Sequence, residues 1–219
     1  MFLDTGKIKL YYEKTGNGRP LIMLHGNGED HKIFDKAVRI LKNHYTVYAI
    51  DSRDHGKSGK VNELHYEDMA DDVYDFITFL NLEKPIVYGF SDGGIIALIL
   101  AVKHQDILSK IIVSGVNAVP NGLKTIHILT YKINYLFHKN PKVKMMLTEP
   151  NITDNMLKSI KIPAVITAGS NDMIKQSHMK HIADCIPNST FTVFKNELHG
   201  SYIVNSTKIA EFILKQDNK

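Results

Sequence analysis

The stretch 87-VYGFSDGGIIAL-98 places one serine, Ser91, between Gly89 and Gly93, with an apolar β-branched run before it and an apolar run after it. A short buried strand, a glycine-flanked polar residue and a helix-forming segment together describe a sharp strand-to-helix turn. Glycines on both sides fit a strained backbone packed too closely for neighbouring side chains. Such a turn lifts a serine hydroxyl above the end of a sheet. The phrase therefore predicts an α/β fold and a candidate nucleophile at once.

The same alternation of strand and helix extends outward in both directions. Downstream, 93–104 reads as a helix, 110–116 as a strand, 163–170 as a strand, 175–186 as a helix, 190–195 as a strand and 201–216 as a closing helix. Upstream, 30–44 puts Ile33, Phe34, Ala37, Val38, Ile40 and Leu41 on one helical face. Residues 45–59 form a strand running into a polar, glycine-containing loop, and 66–82 is a helix with acids in its first half, where the helix dipole favours them. Strands alternating with amphipathic helices imply right-handed crossovers and a mainly parallel sheet with helices on both faces. The N-terminus reads as a hairpin at the sheet edge: 7–14 alternates polar and apolar residues, 15–19 supplies turn chemistry and 20–26 is a short buried strand.

One segment breaks the rhythm. Residues 117–161 contain no clear strand, yet carry Ile126, Leu129, Tyr131, Ile133, Tyr135, Leu136, Phe137, Met145 and Met146 in what read as short helices. The segment is too apolar for a linker and too long for a plain loop, so it is expected to be a cap insertion packed on the sheet edge, the alternative being an extra pair of core helices. The expectation for 1–219 is thus a single α/β domain with a short helical cap.

Bulk properties narrow the functional classes. A chain of 219 residues, 43% hydrophobic and 23% charged, suits one folded domain of ordinary size. The net charge of +4 comes from Lys spread along the chain without a basic run, so no nucleic-acid partner is expected. The single Cys185 forms no intramolecular disulfide, and the first residues lack the basic and apolar regions of a secretion signal, which suggests a cytoplasmic location. The longest strongly apolar run, 95–102, is too short to cross a bilayer, and no membrane partner is expected.

A serine hydroxyl needs a general base, and the base needs a carboxylate to hold its tautomer. His199 lies directly after the last expected strand and Asp172 directly after the one before it, both at the strand ends where an open α/β sheet binds ligands. Among the rivals, His25 and His55 sit in loop phrases suited to supporting backbone, and His104 lies at a helix end. His178 and His181 are one turn apart with no third ligand evident, and no metal site is expected. Asp154 falls in the cap and Asp51 ends an earlier strand; only Asp172 follows the order serine, acid, histidine. For an oxyanion, the N–H of Asp92 and that of Asn27 in 25-HGNG-28 are the candidate donors. Gly56-Lys57-Ser58 matches the tail of a phosphate-binding loop, but Asp51 stands where that loop needs glycine, so the nucleotide reading fails. The loop is expected to be structural, with Arg53 and Asp54 pinning neighbouring backbone.

The set 25-HGNG-28, 51-DSRDHGKSG-59, 89-GFSDGG-94, Asp172 and His199 resembles the α/β-hydrolase family over essentially the whole chain, with Asp54 where that family usually has glycine. The resemblance implies Ser91 as nucleophile, His199 as base, Asp172 as its orienting acid, a small-molecule ester substrate cleaved through an acyl-enzyme, and no metal or organic cofactor. Serine rather than aspartate at position 91 argues against the epoxide-hydrolase and dehalogenase branches. The S-D-G-G form looks like the valacyclovir-hydrolase or biphenyl-hydrolase-like branch, in which an acid beside the serine can face the substrate. A carboxylate there would attract a substrate ammonium group; alternatively Asp92 complements the helix N-terminus with its side chain in solvent. Tyr131, Tyr135, Phe137 and Met146 are the candidate apolar pocket wall. A thioesterase, a carbon–carbon bond hydrolase and a non-catalytic ligand-binding protein remain open, as does the oligomeric state.

Overall fold

The computed structural model describes residues 1–217. Its strands are β1 (Phe2–Asp4), β2 (Lys9–Thr15), β3 (Arg19–Leu24), β4 (Tyr45–Asp51), β5 (Ile86–Phe90), β6 (Lys110–Ser114), β7 (Ala164–Asn171) and β8 (Ser189–Leu198). They form one sheet in the order β1-β2-β4-β3-β5-β6-β7-β8. From β4 to β8 the pairs are parallel; β1 and β2 add antiparallel strands at one edge. Every residue of β4 and β5 is buried, as a parallel strand covered on both faces requires, which is why their sequences read as nearly continuous apolar runs.

The helices are α1 (Asp35–Leu41), α2 (Tyr66–Phe79), α3 (Asp92–His104), α4 (Thr125–His138), α5 (Pro141–Thr148), α6 (Asp154–Ser159), α7 (Gln176–Cys185) and α8 (Lys208–Asp217). Strand β3 shows how they divide. Ile22 and Leu24 point into a core with α2, α3 and α7, whereas Leu21 and Met23 point into a second core with α1 and α8. This is the period-two alternation of a pleated strand serving two helical layers. Helix α3 is buried along 92–101, between the sheet and α2, so its sequence is apolar all round instead of striped. Helices α4, α5 and α6 fill the connection between β6 and β7. No helix among the described residues is long and apolar enough to cross a membrane.

Three sequence expectations are corrected. The segments 7–14 and 20–26 do not form a hairpin: β2 pairs with β1 and β4, and β4 lies between β2 and β3. Leu21 to Leu24 have no solvent exposure, so β3 needs a partner on each side, and parallel β4 and β5 supply both. The glycine-containing 16–18 segment instead crosses the start of β4, where the Thr46 hydroxyl donates to the Gly18 carbonyl (2.9 Å). The 30–44 region is a short 3₁₀ turn at His31–Phe34 followed by α1, because Asp30 caps the turn by accepting from the Lys32 N–H. The closing helix starts at Lys208, not at 201: Asn205 is left-handed (φ 49°), and Tyr202 and Ile203 are buried in turns before it.

The 51–59 loop is structural, with its work divided differently from expectation. Asp51, wholly buried, accepts from the N–H of His31 and of Lys57 (both 2.8 Å) and from the His31 ring (2.7 Å). Arg53 reaches helix α2, bridging Asp72 through Nε (2.7 Å) and Nη2 (2.8 Å) and Asp68 through Nη1 (2.9 Å). Asp54 takes the left-handed conformation that glycine would otherwise supply (φ 61°) and pairs with Lys142 of α5. Asp72 is buried, so removing Arg53 strands a charge. The Arg53→Met variant is expected to lose about 3 kcal/mol of stability, measured as a lower urea midpoint at unchanged slope.

Candidate active site

Ser91 sits between β5 and α3 with φ 53° and ψ −115°, a strained conformation that costs on the order of 1–3 kcal/mol. Its surroundings hold it there. The Ser91 N–H donates to the Ser114 carbonyl (2.8 Å) at the end of β6, and the Gly93 N–H donates to the His25 carbonyl (3.1 Å) after β3. A Cβ on Gly89 would come within 2.1 Å of the Gly93 carbonyl oxygen, and one on Gly93 within 2.2 Å of the Leu24 carbonyl oxygen. Both contacts are with backbone, which cannot move aside, so the flanking glycines are obligatory.

Asp172 follows β7 and His199 follows β8, and the sheet brings both to Ser91. The Ser91 hydroxyl reaches His199 Nε2 at 3.1 Å, and His199 Nδ1 meets Asp172 Oδ1 at 2.6 Å. Asp172 is buried and also accepts from the N–H of Ile174 (2.9 Å) and of Gly169 (3.3 Å), which fixes its carboxylate beneath the imidazole. With Nδ1–H donating to Asp172, Nε2 is left as the acceptor facing the hydroxyl, the arrangement that lets an imidazole take a proton from serine. Gly115, left-handed after β6, makes room: a Cβ there would lie 2.7 Å from His199 Cε1. The sequence signal for it was a lone glycine at a strand end, which does not reveal what it must clear.

Asp92 lies at the first position of α3, where its N–H has no intrahelical acceptor and points out of the helix N-terminus. Its carboxylate neither projects into solvent nor stands free. It is buried, accepting from Tyr66 Oη (2.8 Å) and from Asn27 Nδ2 (2.8 Å). Burial pushes its pKa up to about 6, against the pull of these two hydrogen bonds. The two candidate oxyanion donors, the N–H groups of Asn27 and Asp92, are thereby tied together through the Asn27 side chain. Tyr66, at the start of α2, escaped sequence reading because only the packing of α2 on α3 brings it to this carboxylate.

The other histidines have separate duties. His25 Nδ1 donates to the Gly26 carbonyl (2.8 Å) and Nε2 accepts from the Ser52 N–H (3.0 Å), joining the loops after β3 and β4. Burial lowers its pKa, keeping it neutral for that double role. His55 donates to the Arg53 carbonyl (2.9 Å), with burial lowering its pKa to about 4. His178 and His181 do not act as a pair: His178 Nε2 accepts from the Ala118 N–H (3.0 Å), while His181 meets Asp154 (2.9 Å) and Cys185 (3.6 Å).

A cleft of about 110 Å³ opens beside Ser91 and His199, walled by Asn27, Glu29, Tyr131 and Met146. A narrow, more enclosed crevice of about 10 Å³, room for one water-sized group, continues past Ser91 to Asp92, Tyr66, Asn117 and Glu149. Two larger hollows of about 330 Å³ each flank the His65–Glu149 pair (2.6 Å) and contain none of Ser91, His199 and Asp172. Of the expected wall residues, Tyr131 lines the cleft and Met146 lines both compartments. Tyr135 lines a lateral hollow instead, and Phe137 is 79% exposed. Six residues beyond Tyr131, Phe137 falls about 120° round α4 and faces away from the site. Glu29, which sequence reading passed over, accepts from the Gly26 N–H (2.9 Å), and burial raises its pKa.

A strained serine turn, an aligned histidine and buried acid, and an α/β sheet define a hydrolase-type site. Residues 19–136 match the model of the alpha/beta hydrolase fold family, and the chain belongs to that family of enzymes. It is 28% identical over 213 residues to a putative esterase/lipase of Haemophilus influenzae, covering 91% of this chain and 74% of that protein. It is 26% identical over 245 residues to the human serine hydrolase BPHL, covering 95% and 84%. The AB hydrolase superfamily protein YisY of Bacillus subtilis is 39% identical over 100 residues, but the match spans 45% of this chain and only 37% of that protein. In structure, the enol-lactonase of Burkholderia xenovorans aligns over the full length of both chains with a TM-score of 0.83 at 16% identity, a likeness of fold.

Because both flanking glycines abut backbone carbonyls, Gly93→Ala is expected to lower the thermal midpoint by roughly 5–10 °C, measured by calorimetry.

Proposed function

We propose that the protein is a serine hydrolase of small carboxylic esters, with Ser91 as nucleophile, His199 as general base and Asp172 as the acid that orients it. The observation that carries this reading is the unbroken hydrogen-bonded line from the Ser91 hydroxyl through His199 to buried Asp172. Ser91 attacks the ester carbonyl as its proton passes to His199 Nε2. The N–H groups of Asn27 and Asp92 receive the oxyanion, and the imidazolium returns its proton to the departing alcohol. Water, deprotonated by His199, then releases the acid and restores Ser91. The esterase/lipase and serine-hydrolase names of the two long-matching relatives support ester chemistry. In this reading the 117–161 segment is the cap of a single hydrolase unit, with Tyr131 and Met146 contacting substrate.

The finer specificity rests on charge. The two compartments beside Ser91 are lined by Glu29, Asp92 and Glu149 and by no Lys or Arg. Three carboxyl groups around one small site disfavour an anionic acyl group and favour an uncharged or cationic one. We assign the acyl group to the cleft beside Ser91, with an α-ammonium entering the narrow crevice toward Asp92.

A fluorophosphonate probe is expected to label the native protein, and Ser91→Ala to abolish both labelling and ester hydrolysis, lowering kcat by about 10⁴ or more. Unlabelled but folded native protein would leave a non-catalytic ligand-binding role as the better reading. The charge assignment has its own measurement: the ratio of kcat/KM for an α-amino-acyl ester to that for its des-amino analogue. Asp92 is ionised above about pH 6 and neutral below. The substrate ammonium, with an ordinary pKa near 8, stays protonated as pH falls through that point. The ratio is therefore expected to drop severalfold from pH 7 to pH 5, with any pH effect common to both substrates cancelling, and to be flat in Asp92→Asn. Equal ratios in the two proteins would remove the assignment.

A further inference from the structure

Helix α4 carries apolar residues on two sides. Ile128, Tyr131 and Tyr135 are half-buried toward the protein, whereas Ile126, Leu129, Ile133, Leu136 and Phe137 are 48–79% exposed. Their spacing of three and four residues puts these five side chains on one outward stripe. Together they expose roughly 500 Å² of apolar surface, the size of the largest patch on a typical soluble monomer and one that marks an interaction site. The helix has no fully buried residue, so its outer face serves no packing purpose within the chain.

The charge around the stripe selects the partner. Residues 117–148 hold five Lys (124, 132, 139, 142 and 144) and no Asp or Glu, more positive charge than the +4 of the entire chain. The rest of the protein is therefore slightly acidic, and its positive excess is confined to the cap. Lys142 is neutralised by Asp54, but Lys124, Lys132, Lys139 and Lys144 have no carboxylate partner among the described residues. A helix with an exposed apolar face and, in and around it, lysines without carboxylate partners, one of them (Lys139) lying over the Tyr135 ring, has the design of an interfacial helix that lies flat on an anionic lipid surface. A negatively charged headgroup layer meets the lysines while the five apolar side chains enter the acyl boundary.

We propose that α4 docks the protein on anionic lipid surfaces, with Ile126, Leu129, Ile133, Leu136 and Phe137 inserted and Lys124, Lys132, Lys139 and Lys144 at headgroup level. The opposite face of the same helix contributes Tyr131 to the cleft at Ser91, so docking sets the mouth of the site beside the bilayer. The inference departs from the sequence expectation of no membrane partner, which rested on the lack of a segment long enough to span a bilayer; a peripheral surface needs no such segment.

The test is co-sedimentation of the full chain with vesicles of equal parts phosphatidylglycerol and phosphatidylcholine, against vesicles of phosphatidylcholine alone. Binding is expected to the anionic vesicles only, and to weaken about tenfold when salt is raised from about 0.05 to 0.5 M. The double variants Leu129→Ser/Leu136→Ser and Lys132→Glu/Lys144→Glu are each expected to reduce partitioning about tenfold or more while retaining hydrolysis of a short soluble ester. Phe79→Ser, which removes an exposed aromatic at the end of α2, is expected to leave partitioning unchanged. Ser91→Ala is expected to dock as well as the native protein, so the assay reads docking independently of what the site cleaves. Absence of binding to anionic vesicles, or binding that both double variants retain, overturns the proposal. So does a concentration-dependent dimer in sedimentation velocity that Leu129→Ser/Leu136→Ser dissolves, since the stripe would then be covered by a second copy.

Discussion

The backbone of Ser91 is held in a conformation that an unconstrained serine avoids, and the architecture around it exists in a form that keeps it there. Strand β5 delivers the chain to the turn, α3 carries it away, and the loop after β3 and strand β6 each lend one carbonyl to the N–H groups of Gly93 and Ser91. The glycines on either side let those partners come close enough. The strain is affordable because β3, β5 and α3 are among the most deeply buried parts of the molecule, where packing over-determines the backbone.

Around that turn the site is assembled from strand ends. Parallel strands bring the loops after β3, β5, β7 and β8 to one edge, so Asn27, Ser91, Asp172 and His199, scattered over more than 170 residues, become neighbours. A buried polar chain from Tyr88 through Ser114 and Thr167 to Tyr202 ties β5, β6, β7 and the turn before α8 together beneath them. Each hydroxyl is partnered, which makes the chain a source of rigidity and not a desolvation cost.

The 117–161 segment is attached by a different physics. Polar ties reach it from the core: Asp54 to Lys142, Asn27 to the Lys142 carbonyl (3.5 Å), and Glu149 to His65 and the Tyr66 N–H (3.0 Å). Helix α5 is anchored by Val143 and Met145, which are buried, whereas α4 has only half-buried contacts. Its inner face lines the cleft through Tyr131, and its outer face is exposed. Asp92 links the two regions of the site chemically. Its buried carboxylate orients Asn27 and engages Tyr66, so a residue first noticed for following the serine also couples the helix N-terminus to the start of α2.

Much of this was legible in the chain itself, for reasons of local physics. Period-two and period-three-to-four apolar patterns, turn glycines and the order of Ser91, Asp172 and His199 are short-range or ordinal properties, and they sufficed for the α/β class, for the turn and for the residues that meet there. Strand order was not legible: β2 and β3 are adjacent in sequence with a turn between them, yet the burial of β3 on every side demands that β4 lie between. Side-chain direction was equally out of reach. The helical pattern of α4 named Tyr131, Tyr135 and Phe137 together, and only its seating on the core decided that Tyr131 faces the cleft while Phe137 faces out. The environment of the Asp92 carboxylate depended on Tyr66 and Asn27, one 26 residues away and the other 65. Sequence thus determined which chemical groups were available and the order in which they come; tertiary structure decided which of them meet, because contact between distant residues is set by the packing of whole elements and not by any local preference.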